Sequence, residues 1–179
     1  MSIQSINPQG AYSIRDAIFE DQTRILEIYA EGIQSGDATF TAEIPTWEEW
    51  DGTYLPDCRM VAEQHGDVIG WAALKPASPR PVYRGVTDLS IYVDASVRSR
   101  GIGRRLLEAL IRTSEAQGVW TIRAHMFPEN DISIRLHHST GFRTIGTCER
   151  AGKMEIGPRR GMWRDVVLME RRSILVGID

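Results

Sequence analysis

"VRSRGIGRRL" occupies residues 97–106. Two glycines, Gly101 and Gly103, stand one residue apart among Arg98, Arg100, Arg104 and Arg105, with an apolar residue at each end. Glycine lets an anion approach the backbone closely, and arginine adds forked donors. The preceding "VTDLSIYV" (86–93) is β-branched and aromatic, as suits a central strand. From the first of these glycines onward, Ile102, Leu106, Ala109, Leu110 and Thr113 recur at helical spacing up to Gly118. A strand that enters a Gly-x-Gly turn opening a helix makes an anion site, because the first helical N–H groups are unpaired and carry partial positive charge.

Three phosphate motifs compete for the stretch. A P-loop needs Lys-Ser/Thr after its last glycine, which is absent here. A dinucleotide fingerprint needs a third glycine three residues after Gly103, where this chain has Leu106. The third, Arg/Gln-x-x-Gly-x-Gly/Ala, holds the pyrophosphate of coenzyme A, and "RSRGIG" (98–103) fits it fully. Alone, the match competes with a plain glycine-rich helix start bearing solvated arginines.

The surroundings read as alternating strands and helices. "YSIRDAI" (12–18) alternates as a strand, and Ile25, Ile28, Tyr29 and Ile33 mark a helix between an Asp21 N-cap and Gly36. Residues 46–55 form a short helix, and 59–75 two strands about a turn at His65-Gly66-Asp67. Three prolines make 75–85 a loop. Then follow a strand at 119–127, a helix capped by Asn130 or Asp131 and closed at Gly141, and strands in 142–150 and 162–171. This order predicts an α/β (α+β) fold, a mixed central sheet flanked by helices, in one domain over 1–179.

Composition narrows the function. Net charge is −3 over 179 residues, which gives no reason to expect a nucleic-acid partner. Cys58 and Cys148 form no CxxC pair, and the four histidines show no HExxH spacing, so no metal is assigned. The opening "MSIQSINPQGAYSI" lacks a basic region followed by an apolar core, and no apolar run is long enough for a membrane. A reduced cytoplasmic protein is expected.

With these segments in order, the sequence resembles the GNAT acetyltransferase superfamily, and within it the phosphinothricin and methionine sulfoximine N-acetyltransferase group. "SIYV" with "RSRGIGRRLLEALI", "NDISIRLHHSTGF", "VIGWAAL" and "WRDVVLM" carry the resemblance over nearly the whole chain. It implies a sheet whose parallel strands 86–93 and 119–127 splay apart to admit acetyl-CoA. Backbone groups of Ile91, Tyr92 and Val93 would pair with the pantetheine arm, by strand augmentation. Residues Arg98, Ser99, Arg100, Gly101, Ile102, Gly103, Arg104 and Arg105 would hold the pyrophosphate, and Asn130 and Ser133 would touch the donor near its thioester.

The same resemblance distributes the chemistry. Acetyl transfer needs a deprotonated amine, an oxyanion donor and a stabilised thiolate. Relatives carry Glu where this chain has Asp88; one methylene shorter, Asp88 would act through water, or would be a structural Asp bonded to a loop. The N–H of Tyr92 or Val93 would be the oxyanion donor. His137 would protonate the thiolate, orient substrate, act as base or simply pack. The Trp-Arg carboxylate clamp of relatives is missing from "PASPRPVYRG", so Arg80, Tyr83 or Arg84 would replace it, with Phe40 and Glu43 as further acceptor contacts. Trp47, Trp50 and Trp71 should pack, and Trp163 should shape the pocket or a dimer. The implied activity is direct transfer to the amine of a small amino acid or analogue, by a homodimer. Acetylation of a protein N-terminus or antibiotic, and an acetyl-CoA sensor without turnover, are the competing readings.

Overall fold

A strand covered on both faces sets the architecture. In the computed structural model, which describes residues 3–5 and 12–178, Val68 to Leu74 are buried without interruption. Trp71 and Ala73 face one apolar cluster, and Ala72 and Leu74 face another. Such a run belongs at the centre of a sheet sandwiched by helices.

Among the described residues the strands are β1 (Ile3–Ser5), β2 (Tyr12–Asp16), β3 (Arg59–Gln64), β4 (Asp67–Pro76), β5 (Val86–Val93), β6 (Thr121–Met126), β7 (Arg143–Lys153) and β8 (Trp163–Arg172). The helices are α1 (Gln22–Ser35), α2 (Trp47–Thr53), α3 (Ile102–Ala116) and α4 (Asp131–Ser139). The sheet order is β1-β2-β3-β4-β5-β6-β8-β7. Every neighbouring pair is antiparallel except β5 and β6, which run parallel.

Strands β5 and β6 pair only at Val86–Thr121, Thr87–Ile122 and Asp88–Arg123. Beyond Asp88 the two part, which is the expected splay. α3 buries Ile102, Leu106, Leu107, Ala109 and Leu110 against one sheet face. α1 and α2 bury Ile25, Ile28, Ile33 and Trp50 against the other. The expected packing of Trp50 and Trp71 holds, with Trp47 stacked on Trp50 at 4.9 Å.

Several local expectations need correction. β1 was not anticipated. The first strand stops at Asp16 rather than residue 18, because the Asp21 carboxylate takes the Ile18 N–H at 2.9 Å and turns the chain. Asp21 stands at the head of α1 without capping it: its oxygens are committed to that N–H and to the Arg15 guanidinium at 2.7 and 2.8 Å. Gly36 ends α1 in the left-handed conformation as expected. Asn130, not Asp131, caps α4 by accepting the Ser133 N–H at 3.2 Å. Ser114, rather than Thr113, is the fully buried polar residue of α3. β7 runs to Lys153 through two irregularities. Of the opening segment read for a secretory signal, residues 1, 2 and 6–11 lie outside the described residues. Among the described residues no helix is long and apolar enough to cross a membrane.

Candidate active site

The parting of β5 and β6 leaves a cavity of about 310 Å³ that passes between the strands. Strand alternation places Leu89, Ile91, Ala124 and Met126 toward α3, and Asp88, Ser90, Tyr92 and His125 toward α1 and α2. All eight line the cavity. Asn130, Ser133 and His137 of α4 also line it, as do Ala38, Thr39 and Phe40 of the α1–α2 connection.

Beyond the end of β5 lies the glycine-arginine turn. Ser99 and Gly101 both have positive φ, 66° and 77°, on either side of exposed Arg100. Such alternation makes a concave nest of N–H groups. The first backbone bond of α3 runs from the Arg105 N–H to the Gly101 carbonyl at 3.1 Å, so the N–H groups of Ile102, Gly103 and Arg104 precede the helical ladder. Gly103 keeps the helix close to its neighbours: a Cβ there would lie 3.2 Å from Leu136 and 3.8 Å from Val93.

Backbone direction separates the two oxyanion candidates. The Asp94 N–H donates to the Ile69 carbonyl of β4 at 3.0 Å, and the Tyr92 carbonyl lies against Gly70 of β4. Successive residues of a strand direct their polar groups to opposite edges. The backbone groups of Tyr92 therefore serve β4, while those of Ile91 and Val93 point into the gap. The Tyr92 ring stacks on Trp71 at 4.9 Å, and burial pushes its hydroxyl well above the ordinary tyrosine range. Gly32 makes room for that ring, since a Cβ there would lie 2.6 Å from it.

Asp88 is bonded not to a loop but to the neighbouring strand. Its Oδ1 accepts from Arg123 Nε at 2.9 Å and faces His125 Nε2 at 3.3 Å. Burial raises its carboxyl, but the bonds from His125 and Arg123 outweigh burial and hold it below the ordinary range. The carboxylate is thus ionised at neutral pH.

His137 is buried, with Phe142 edge-on at 4.9 Å. Its Nδ1 donates to the Ser133 carbonyl at 2.7 Å, and burial lowers its basicity. A neutral ring committed at Nδ1 carries its lone pair on Nε2, which has no partner among the described residues. The next residue, His138, bonds Phe142 and Thr144, a local structural role.

The acceptor-side expectations divide. Phe40 lines the cavity, packed edge-on against Phe127 at 5.0 Å. Glu43 is exposed and does not line it. Arg80, Tyr83 and Arg84 do not line it either: Arg80 lies over the Tyr83 ring, and Arg84 over Trp120 at the paired end of β5 and β6. The proline loop thus folds back on itself and leaves Lys75, the last residue before it to face the cavity, beside Asp88 on the adjoining strand. Sequence reasoning missed Lys75, Thr39 and His125. The one available signal was alternation, which sets Lys75 on the face of Trp71 and Ala73, and His125 on that of Arg123. Among the described residues no group of three or more His, Cys, Asp or Glu could hold a metal ion.

Comparison with known proteins agrees with this geometry. Residues 17–142 match the acetyltransferase (GNAT) family. An L-methionine sulfoximine/L-methionine sulfone acetyltransferase of Pseudomonas aeruginosa is 30% identical over 164 residues, covering 88% of this chain and 92% of the relative. A phosphinothricin N-acetyltransferase of Streptomyces viridochromogenes is 32% identical, covering 88% and 86%. A crystal structure of a phosphinothricin acetyltransferase from Sinorhizobium meliloti in complex with acetyl-CoA superposes with TM-score 0.81 at 29% identity, covering 94% of this chain and 91% of that one.

Proposed function

The chain belongs to the GNAT acetyltransferase family, and from that premise we propose that it moves the acetyl group of acetyl-CoA to the amine of a small amino acid or analogue, of the phosphinothricin, methionine sulfoximine or methionine sulfone type. The observation that carries this reading is the open gap between β5 and β6. It is lined by Leu89 and Ile91 on one sheet face and by Asp88, Ser90 and His125 on the other, and β5 leads from it toward the glycine-arginine turn.

The donor's pyrophosphate meets the nest at 98–105, and the inward backbone groups of Ile91 and Val93 extend the sheet along its pantetheine arm. Asn130 and Ser133 stand beside the acyl end. The Val93 N–H is the donor to the developing oxyanion. Deprotonation of the acceptor ammonium centres on Asp88, among the described residues the one carboxylate lining the cavity, together with the His125 that it bonds. His137, neutral and with Nε2 open, orients a donor group of the substrates and does not deliver a proton. Phe40 and Thr39 wall the acceptor side, and Lys75 supplies positive charge there. Transfer is direct, within a ternary complex: Cys58 is buried with its thiol pushed up to about 11, and Cys148 is outside the cavity. The chain acts as one domain, in the cytoplasm, as a homodimer; exposed Trp163 at the start of β8 suits a partner contact.

Thiol release from acetyl-CoA tests the reading. Turnover with L-methionine sulfone, L-methionine sulfoximine or phosphinothricin supports it. Release with a peptide amine alone would move the acceptor to a protein N-terminus, and tight acetyl-CoA binding without release from any amine would make the chain a sensor. Asp88→Asn should lower kcat about 10²-fold or more, as loss of general-base assistance does, while acetyl-CoA affinity holds.

A further inference from the structure

Asp88 does not face the acceptor pocket alone. Arg123 and His125 on β6 share its sheet face, and both bond the same oxygen, Oδ1. An ionised carboxylate oxygen only accepts, so the His125 nitrogen that faces it, Nε2, carries the hydrogen. In the neutral ring Nδ1 is then the lone-pair nitrogen, and among the described residues it has no hydrogen-bond partner. His125 is 47% exposed at its side chain and lines the cavity, whereas Asp88 is 18% exposed.

The two groups are therefore differently placed to receive a proton. Asp88 already accepts from two donors and is stabilised as an anion by both. Every interaction that favours the carboxylate weakens it as a base. His125 has a lone-pair nitrogen without a partner among the described residues, on a side chain that is half exposed and lines the cavity, and its other nitrogen faces the Asp88 carboxylate. In this arrangement a part-buried carboxylate fixes the tautomer and orientation of a histidine. Lys75 of β4, Arg123 of β6 and Glu170 of β8 are the other charged residues this face presents around the pair. Glu170 is taken up by Arg143.

We infer that His125 is the proton acceptor for the incoming ammonium, and that Asp88 positions it while Arg123 fixes Asp88. The inference rests on the acetyltransferase reading and names the base within it. An N–H bond of the ammonium breaks and a bond forms to His125 Nδ1, giving imidazolium and a neutral amine. The amine lone pair attacks the thioester carbonyl, forming the C–N bond. The C–S bond breaks, the thiolate takes the second proton from nitrogen, and His125 returns its proton to solvent. The products are the amide, free thiol and one proton.

Chemical rescue tests it in the full chain, with L-methionine sulfone, L-methionine sulfoximine and phosphinothricin as acceptors. His125→Ala should lose about 10²-fold or more in kcat, keep its acetyl-CoA Kd and circular-dichroism spectrum, and regain rate in proportion to added neutral imidazole. Asp88→Asn should also lose rate but should not respond to imidazole. In the unaltered protein kcat/KM should fall toward acid pH, and His125→Gln should flatten that limb. Unchanged kcat in His125→Ala would overturn the inference. So would a loss that imidazole cannot relieve while formate restores Asp88→Gly, since Asp88 would then be the base itself and the acetyltransferase reading would stand. No thiol release by the unaltered protein with any amine would overturn both together.

Discussion

At the residue scale, single atoms decide whether a group can act. His137 illustrates this: burial and the Ser133 carbonyl leave it neutral with one open nitrogen. Its folded-state basicity is lowered, so the unfolded chain binds the proton more readily. That contribution to stability is full above the ordinary histidine pKa of about 6.5 and is lost as pH falls below it. Melting temperature should therefore drop between pH 7.5 and pH 5.5, and His137→Gln should show a shallower drop. Equal slopes for the two proteins would contradict the assignment. Gly32 makes a second case. A Cβ 2.6 Å from the Tyr92 ring cannot be absorbed by a flexible chain end, because the ring is clamped by Trp71 and Tyr29. Gly32→Ala should cost about 1–3 kcal/mol, as overpacking does, against a gain below 1 kcal/mol from helix propensity. Chemical denaturation reads the difference.

At the element scale, the strand–turn–helix around residues 86–116 was legible because each part carries its own local signal. Strand residues, two glycines and an amphipathic stripe agree on one arrangement. Gly101 at φ 77° is the position that requires glycine, since it lets the turn enter α3 with its first N–H groups outward. Gly101→Val pays the left-handed penalty, about 1–2 kcal/mol, and is expected to weaken acetyl-CoA binding about tenfold by titration calorimetry. Unchanged Kd would show that the turn is not the pyrophosphate site. What escaped local reading was pairing. Lys75 and His125 look like any solvated strand positions until β4, β5 and β6 lie side by side with Asp88 between them. The Asp21 cap failed for a similar reason: Arg15, on a separate strand, had already claimed the carboxylate.

At the scale of the whole molecule, distant segments converge to wall the acceptor side. Arg164 of β8 is 3% exposed, lies over the Phe127 ring at 3.8 Å, and donates to the Gly36 carbonyl, Asp37 and Glu129. It thereby ties the α1–α2 connection to the turn before α4, and Phe40 and Phe127 of those segments both line the cavity. Asp37 and Glu129 are about half exposed, so losing the charge alone matters little there. The carbonyl bond and the packing over Phe127 matter more. Arg164→Leu should cost about 1–3 kcal/mol and raise the acceptor KM more than it lowers kcat. An unchanged KM would show that the tie does not shape the pocket. Arg159, Arg160 and Arg164 stand close together in the sequence, but the inward direction of Arg164 was not legible there, because nothing local distinguishes a buried arginine from a solvated one.

The central claim is that the gap between β5 and β6 brings an acetyl donor to a small amino acid's amine. The most direct measurement gives the unaltered protein 13C-labelled acetyl-CoA and an equimolar mixture of L-methionine sulfone, L-methionine sulfoximine, phosphinothricin and a short peptide with a free N-terminus. Products are read by mass spectrometry. Label on the amino group of at least one of the three amino acids, with free coenzyme A in equal amount, is the predicted result. Label on the peptide alone, or on no amine while acetyl-CoA remains bound and intact, would contradict it.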